Sequence, residues 1–400
     1  MPPKDFLPDD LLRSAPAAAP SRLRIAGGRV LRRDGTLGVA DIDLAGGCIA
    51  APAGSPDATV RADGLLVLPG IVDIHGDAFE RQMMPRPGVH MPVAIALAET
   101  DRQMAANGIT TAFHGVTWSW EPGLRGRDSF LAVAAALDAQ RGRQGLAVDT
   151  RLHLRFETYN IEAVDEAAEW LAAGRIDLLA FNDHTPDICA SLGNPTKVQK
   201  IADRTGLSAE AVGTLAREVL ERRHAVADAV ERLAAAARTA GVPMLSHDDD
   251  TPDLRAFYRA LGCRVSEFPK NFPTARAARD AGDAVVAGAP NVLRGGSHNG
   301  GVAAADLVRA GIASVLASDY FYPAPLLAAF RLMREAAMPL GGAWALVSSG
   351  PAAAAGLTDR GAIEPGLRGD VIVVDASDPD LPRVAAAFSA GRLIHAARYP

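Results

Sequence analysis

The chain of 400 residues is 48% hydrophobic with a formal net charge of −6, enough apolar material for one large α/β domain or two to three smaller ones, and too acidic for a general nucleic-acid binder. No run has the apolar length that crosses a bilayer, and the start, MPPKDFLPDDLLRSAPAAAPSR, shows no apolar stretch behind basic residues, so a cytoplasmic protein without membrane association is expected. Cys48, Cys189 and Cys263 are far apart with no paired spacing, which suggests neither a disulfide framework nor a zinc knuckle and fits a reducing compartment.

Behind the Pro- and Ala-rich leader, RLRIAGGRVLRRDGTLGVADIDLAGGCIAAP reads as short strands punctuated by turns such as RDGT and AGG, the pattern of β-hairpins. The far end, RGDVIVVDAS and RVAAAFSAGRLIHAARYP, repeats it. Residues 1–68 with 357–400 are therefore expected to form a small composite β-sandwich around a different middle.

That middle, 69–356, alternates strand-like runs with Ala-, Leu- and Arg-rich helical stretches such as SFLAVAAALDAQRGR. The runs are IVDIHGD, GITTAFHGV, DTRLHLRFE, RIDLLAFNDH, VPMLSHDDD, CRVSEFP, AVVAGAP and IASVLASDY. Eight strands alternating with helices predict an α/β fold of the (β/α)8 barrel type, whose active site lies at the C-terminal strand ends. A doubly wound sheet is the competing fold, but no G-x-G-x-x-G or P-loop follows any strand. A helical insertion is expected around 187–222, with SAEAVGTLAREVLERR starting behind Ser208; placed after a strand end, it would cover the catalytic face.

Metal-capable side chains end five of these strands: His75 and Asp77, Glu157, His184, His247, and Asp319. Two positions apart on a strand, His75 and Asp77 project from one face. Three histidines and three carboxylates can hold two borderline divalent ions, zinc ahead of manganese or iron, with a carboxylate between them. A single strand-end histidine is explained as well by structural hydrogen bonding; five strand ends together are not. In RLHLRFE, Arg151, His153, Arg155 and Glu157 share a face; His153 and Arg155 can support Glu157 from deeper in the barrel or form a buried polar ladder, and Arg155 is read as that support because a buried carboxylate needs a partner. His114 is read equally as lining or as packing. In SHDDDT, Asp248 can orient a ligand or sit in a solvated loop. Two loops suit anions: NVLRGGSHNGG, with Arg294, Gly295, Gly296, Ser297 and His298, and ERQMMPRPGVH, with Arg81 and Arg86. A small phosphorylated substrate follows; self-association is left open.

LPGIVDIHGD, paired β-rich termini and a barrel with strand-end His, His and Asp resemble the amidohydrolase superfamily. Its first strand usually ends His-x-His. The His75-Gly76-Asp77 ending is similar to one branch, the diphosphatases of the carbon–phosphorus lyase pathway of phosphonate breakdown, as are MPRPGVHMP, RLHLRFE, DHTP, LSHDDDT, EFP, GAPNVLRGGSHNGG and ASVLASDYFYPAPLL. The resemblance implies hydrolysis of α-D-ribose 1-methylphosphonate 5-triphosphate to its 5-phosphate and diphosphate. It further implies metal-ligand roles for His75, Asp77, Glu157, His184, His247 and Asp319, with Glu157 where many relatives use a carbamylated lysine and Asp319 as the base. The rival expectations are an amidohydrolase or deaminase acting on a cyclic amide or aminated base, and a catalytically silent ligand-binding barrel.

Overall fold

The computed structural model describes residues 6, 20–142, 145–297, 300–335 and 338–397. Five strands open the chain: β1 (Arg22–Leu31), β2 (Leu37–Ala45), β3 (Cys48–Ala50), β4 (Ala58–Arg61) and β5 (Leu66–Pro69). Between β2 and β3, Gly46 and Gly47 stand at φ 57° and 82°, the paired left-handed positions of a tight hairpin turn that residues with a Cβ resist.

Eight parallel strands follow: β6 (Ile71–Gly76), β7 (Ile109–Trp118), β8 (Asp149–Glu157), β9 (Leu178–Asn182), β10 (Met244–His247), β11 (Val265–Glu267), β12 (Ala284–Gly288) and β13 (Val315–Ala317). They pair in sequence order, and a parallel bridge between Gly76 and Asp319 brings the last strand back to the first. The result is a nearly closed (β/α)8 barrel. Its lumen is filled by one side of each strand, including Ile74, Phe113, Ala180, Leu245, Val286 and Ala317. The other side meets the helices. On Val226–Ala240 the buried residues Ala229, Val230, Leu233, Ala234 and Ala237 make one apolar stripe, which is what a helix laid on a sheet requires.

The chain ends in β14 (Val371–Asp375), β15 (Arg383–Ser389) and β16 (Arg392–Ala396), which join the opening strands in one mixed sheet of order β16-β15-β14-β5-β1-β2-β3, with β4 beside β1. Both termini thus share a sheet. Alternation along β5 and β14 sends Val67, Val371 and Val373 into that sheet's own core and Leu68, Ile372 and Val374 toward the barrel, the two-sided burial that a period of two permits.

Between β9 and β10 lie helices Thr185–Ala190, Pro195–Thr205 and Ala209–Leu220, then a 3-10 turn, Glu221–Ala225, leading into Val226–Ala240. Ser208 caps the third of them, its Oγ accepting from Ala211 N at 3.2 Å, and Asn194 caps the second, as these residue types do at helix starts. The segment leans on the loop after β7 through Arg204 Nε to Glu121 Oε2 at 2.7 Å and Trp120 Nε1 to Thr185 Oγ1 at 2.9 Å. It therefore sits on the side where the barrel strands end. Among the described residues no helix is long and apolar enough to cross a membrane.

Candidate metal centre

The centre is assembled by irregularity at the rim. Asp73 to Gly76 of β6 pair with Ala112 to His114 of β7, three steps against two, and this bulge breaks the alternation that would otherwise turn His75 away from its inward neighbour Ile74. Asp73 is buried behind it, accepting Ser318 N at 2.9 Å and Ser318 Oγ at 2.5 Å; burial pushes its pKa up to about 6 against those bonds. The contact locks β6 to the end of β13. Asp319 N then donates to His75 O, and Asp77 N to Asp319 O, both at 2.9 Å. Asp319, Asp248 and Phe268, each just past a strand end, hold positive φ of 54°, 60° and 53°, a conformation that costs such residues roughly 1 kcal/mol or more and recurs at functional sites.

Three overlapping groups result. The ligand atoms of His75, His247 and Glu267 lie within 4.8 Å of one another, as do those of His184, His247 and Asp248, and those of His75, Asp77 and Asp319. His75 Nδ1, His247 Nδ1 and both Glu267 oxygens are buried without a hydrogen-bond partner. Buried donors and acceptors are seldom left so; His247 turns Nε2 toward Glu267 and Nδ1 toward Asp248, and the residues fit divalent ions.

The charge states of these groups differ. Burial first, then Arg155 and His247, hold His75 well below the usual imidazole pKa, which keeps it neutral and able to ligate. His184 is the opposite case. Burial disfavours its charge, but Glu157 at 2.6 Å from Nδ1 and Asp248 at 3.4 Å from Nε2 raise it to about 9, so a cation bound there competes with a proton. Burial likewise opposes ionisation of Asp248, yet His247 and His184 hold it well below the carboxylate range. Burial, then Asp77, pushes Asp319 up to about 7 while Arg155 pulls it down.

Arg155 enters this ring of ligands, its Nη1 3.1 Å from Asp77 Oδ2 and its Nη2 3.4 Å from His247 Nε2. Gly115 makes room for it: a Cβ there would stand 3.0 Å from Arg155 Cδ. Below, His153 donates from Nδ1 to Ile74 O at 2.9 Å and sets its ring against His75, centroids 5.5 Å apart.

The structure brings His75, Asp77, His184, His247, Asp248 and Asp319 together and sets Glu157 behind His184, outside the three groups. His114 faces outward against Phe79, centroids 5.0 Å apart. Glu267 escaped the sequence reading, although CRVSEFP already showed a carboxylate closing a strand. A cavity of about 480 Å³ opens from the cluster, lined by His75, Arg155, His247, Lys270, Arg294, Ser297 and Asp319 among others. Lys270 is the second omission.

The anion loops are corrected in part. Gly295 N donates to Val292 O and Gly296 N to Asn291 O, closing helix Ala289–Arg294 with Gly295 left-handed at φ 76°. These N–H groups are consumed by the helix end and cannot cradle phosphate. Arg81 donates to Tyr320 O, and neither it nor the exposed Arg86 lines the cavity. His298 lies outside the described residues.

This architecture is that of the amidohydrolases. N-isopropylammelide isopropylaminohydrolase from Burkholderia multivorans ATCC 17616 superposes with a TM-score of 0.63 at 21% identity, covering 93% of this chain and 98% of that one. An amidohydrolase from an environmental sample of the Sargasso Sea superposes with a TM-score of 0.62 at 15% identity, covering 94% and 93%. No protein-family model matches the chain. In sequence it is 32% identical over 329 residues, 79% of this chain and 85% of the relative, to the α-D-ribose 1-methylphosphonate 5-triphosphate diphosphatase of Escherichia coli (strain K12). The chain belongs to that diphosphatase family, a family of hydrolases, and has the fold of the amidohydrolases.

Proposed function

We propose that the protein cleaves α-D-ribose 1-methylphosphonate 5-triphosphate to the 5-phosphate and diphosphate, a step of phosphonate catabolism in the cytoplasm. The observation that carries this reading is a set of buried, unpartnered ligand atoms opening onto a cavity edged by cations, in a chain 32% identical to the E. coli enzyme of that name. His75, Asp77, His184, His247, Asp248, Glu267 and Asp319 would hold two divalent ions, zinc being the best match to mixed imidazole and carboxylate donors. When bound, such ions supply a more acidic water and neutralise phosphate charge.

The chain's own groups do the rest. Asp319 Oδ takes the proton of the attacking water, with Asp77 at its side to keep the carboxyl basic. The water oxygen bonds to the α-phosphorus as the bond to the bridging oxygen breaks, and diphosphate departs with that electron pair. Glu157 fixes the orientation of His184 from Nδ1, the support that ligating imidazoles need. Arg155 offsets carboxylate charge inside the ring, and Arg294 with Ser297 meets phosphate oxygens in the cavity.

Phosphorus NMR of the ribose phosphonate triphosphate incubated with metal-loaded protein should show diphosphate and a 5-phosphate in equal amounts. Ammonia release from cyclic amides or aminated bases, without cleavage of the triphosphate, would replace this reading with a deaminase or amidohydrolase activity. No turnover and no bound metal would leave a binding barrel.

A further inference from the structure

Lys270 stands three residues beyond β11 and lines the cavity that opens onto His75, His247 and Asp319. Its backbone is fixed. Its N–H donates to Asp249 O at 2.9 Å, and the carboxylate of Asp249 is itself held by Ser246 Oγ at 2.5 Å and by the buried Arg255. On the other side, the loop at Gly301 packs so closely that a Cβ there would come within 3.2 Å of Lys270 O. The side chain, by contrast, is 40% exposed. It crosses to helix Thr185–Ala190, which begins directly after His184, and its Nζ pairs with Asp187 Oδ2 at 2.9 Å.

That pair is weak by position: the side chains of Lys270 and Asp187 are 40% and 68% exposed, and solvent screens pairs of this kind. Burial works against the charge, but Asp187, with Asp248 and Asp250 nearby, keeps the ammonium protonated above its ordinary range. A lysine on a fixed backbone, with a mobile stem and an exposed partner, is a cation ready to change acceptors. Arg294 lines the same cavity from the β12 side, its Nη1 3.4 Å from the Tyr320 hydroxyl. The cavity therefore carries positive charge beyond the ring of ligands, where the outer phosphates of a substrate reacting at that ring would lie.

We propose that Lys270 is a specificity residue whose ammonium exchanges Asp187 for the outer phosphates of an incoming phosphoanhydride, selecting a phosphate chain over a monoester. The inference rests on the phosphoanhydride reading of the site. It makes Asp187 a competitor of the substrate, a role that no purely structural ion pair has.

The test is calorimetric binding of inorganic diphosphate to the metal-saturated full chain, with metal content measured afterwards. Lys270→Ala should weaken binding about tenfold or more, the loss expected of one charge-assisted hydrogen bond, whereas Lys270→Arg should retain most of it. Asp187→Asn should tighten binding about twofold to fivefold by releasing the lysine from a screened pair. Unchanged affinity in Lys270→Ala, or weaker binding in Asp187→Asn, overturns the proposal. Failure of the functional reading looks different: Lys270-dependent diphosphate binding without triphosphate cleavage removes the reaction and leaves the anion site, while normal cleavage with Lys270-independent binding does the reverse.

Discussion

His75 Nδ1 lies 2.8 Å from Glu267 Oε1 in the interior of the barrel, yet the geometry makes no hydrogen bond and both atoms lack a partner. An unpaired buried carboxylate is costly. A cation between the two groups removes the cost, and this decides the sign of the first prediction. Glu267→Gln should bind zinc more weakly by at least the roughly 10- to 100-fold that loss of an outer partner produces. Stripped of metal, the same variant should melt above the stripped wild type, because a buried charge has been removed. Elemental analysis and thermal melts with and without chelator check both; undiminished metal in the variant would return Glu267 to a structural role.

What the sequence concealed here was direction in space. Strict alternation made the shared face of Arg151, His153, Arg155 and Glu157 legible, and the eight strand-like runs are β6 to β13. Glu267 was not legible as a ligand because β11 has only three residues, too few for alternation to show which way a side chain faces. Nor can a sequence say who takes an N–H: the donors of Gly295 and Gly296 looked available until the helix before them claimed both. Arg81 likewise sits beside the ligand strand but is turned to a carbonyl.

Arg294 and Gly295 are adjacent, and opposite effects are expected of them. Arg294→Ala should keep its metal and raise KM for the triphosphate about tenfold or more, as one guanidinium–phosphate contact is lost. Gly295→Ala meets no atom within 4 Å but must hold φ 76°, so it should lose about 1 kcal/mol of stability with KM unchanged. Steady-state kinetics and urea melts separate the two. If Gly295→Ala alone raised KM, its backbone would belong to the substrate site after all.

His114 faces the helix Phe79–Met83 and is buried, its pKa lowered to about 3 by burial and then by Arg141. Unfolded, an imidazole takes its proton near 6.5. Between these values the unfolded chain binds the extra proton, so this stabilisation is complete above about pH 6.5 and drains away as pH falls toward 3. From pH 7 to pH 5 the loss from this one group is about 2 kcal/mol. His114→Leu should therefore lose less stability over that interval than the wild type does, by about that amount, in urea melts at the two pH values. Parallel losses in both proteins would show that His114 keeps a proton partner when folded.

Asp319 closes β13 at φ 54° with its backbone bonded on both sides, N–H to His75 and carbonyl to Asp77. Asparagine tolerates this left-handed conformation as well as aspartate does, so Asp319→Asn should fold normally and keep the two rim hydrogen bonds. It cannot accept a proton. Turnover should fall by about 10² to 10⁴, the range expected when acid–base help is lost, while KM changes little because the phosphates are held elsewhere in the cavity. A loss of metal alongside turnover would shift the emphasis from proton transfer to ligation, which metal content measured on the same sample decides. If turnover stayed near normal with metal in place, Asp248 would be the group to test next, since it faces the same ring of ligands from β10 and touches both His184 and His247.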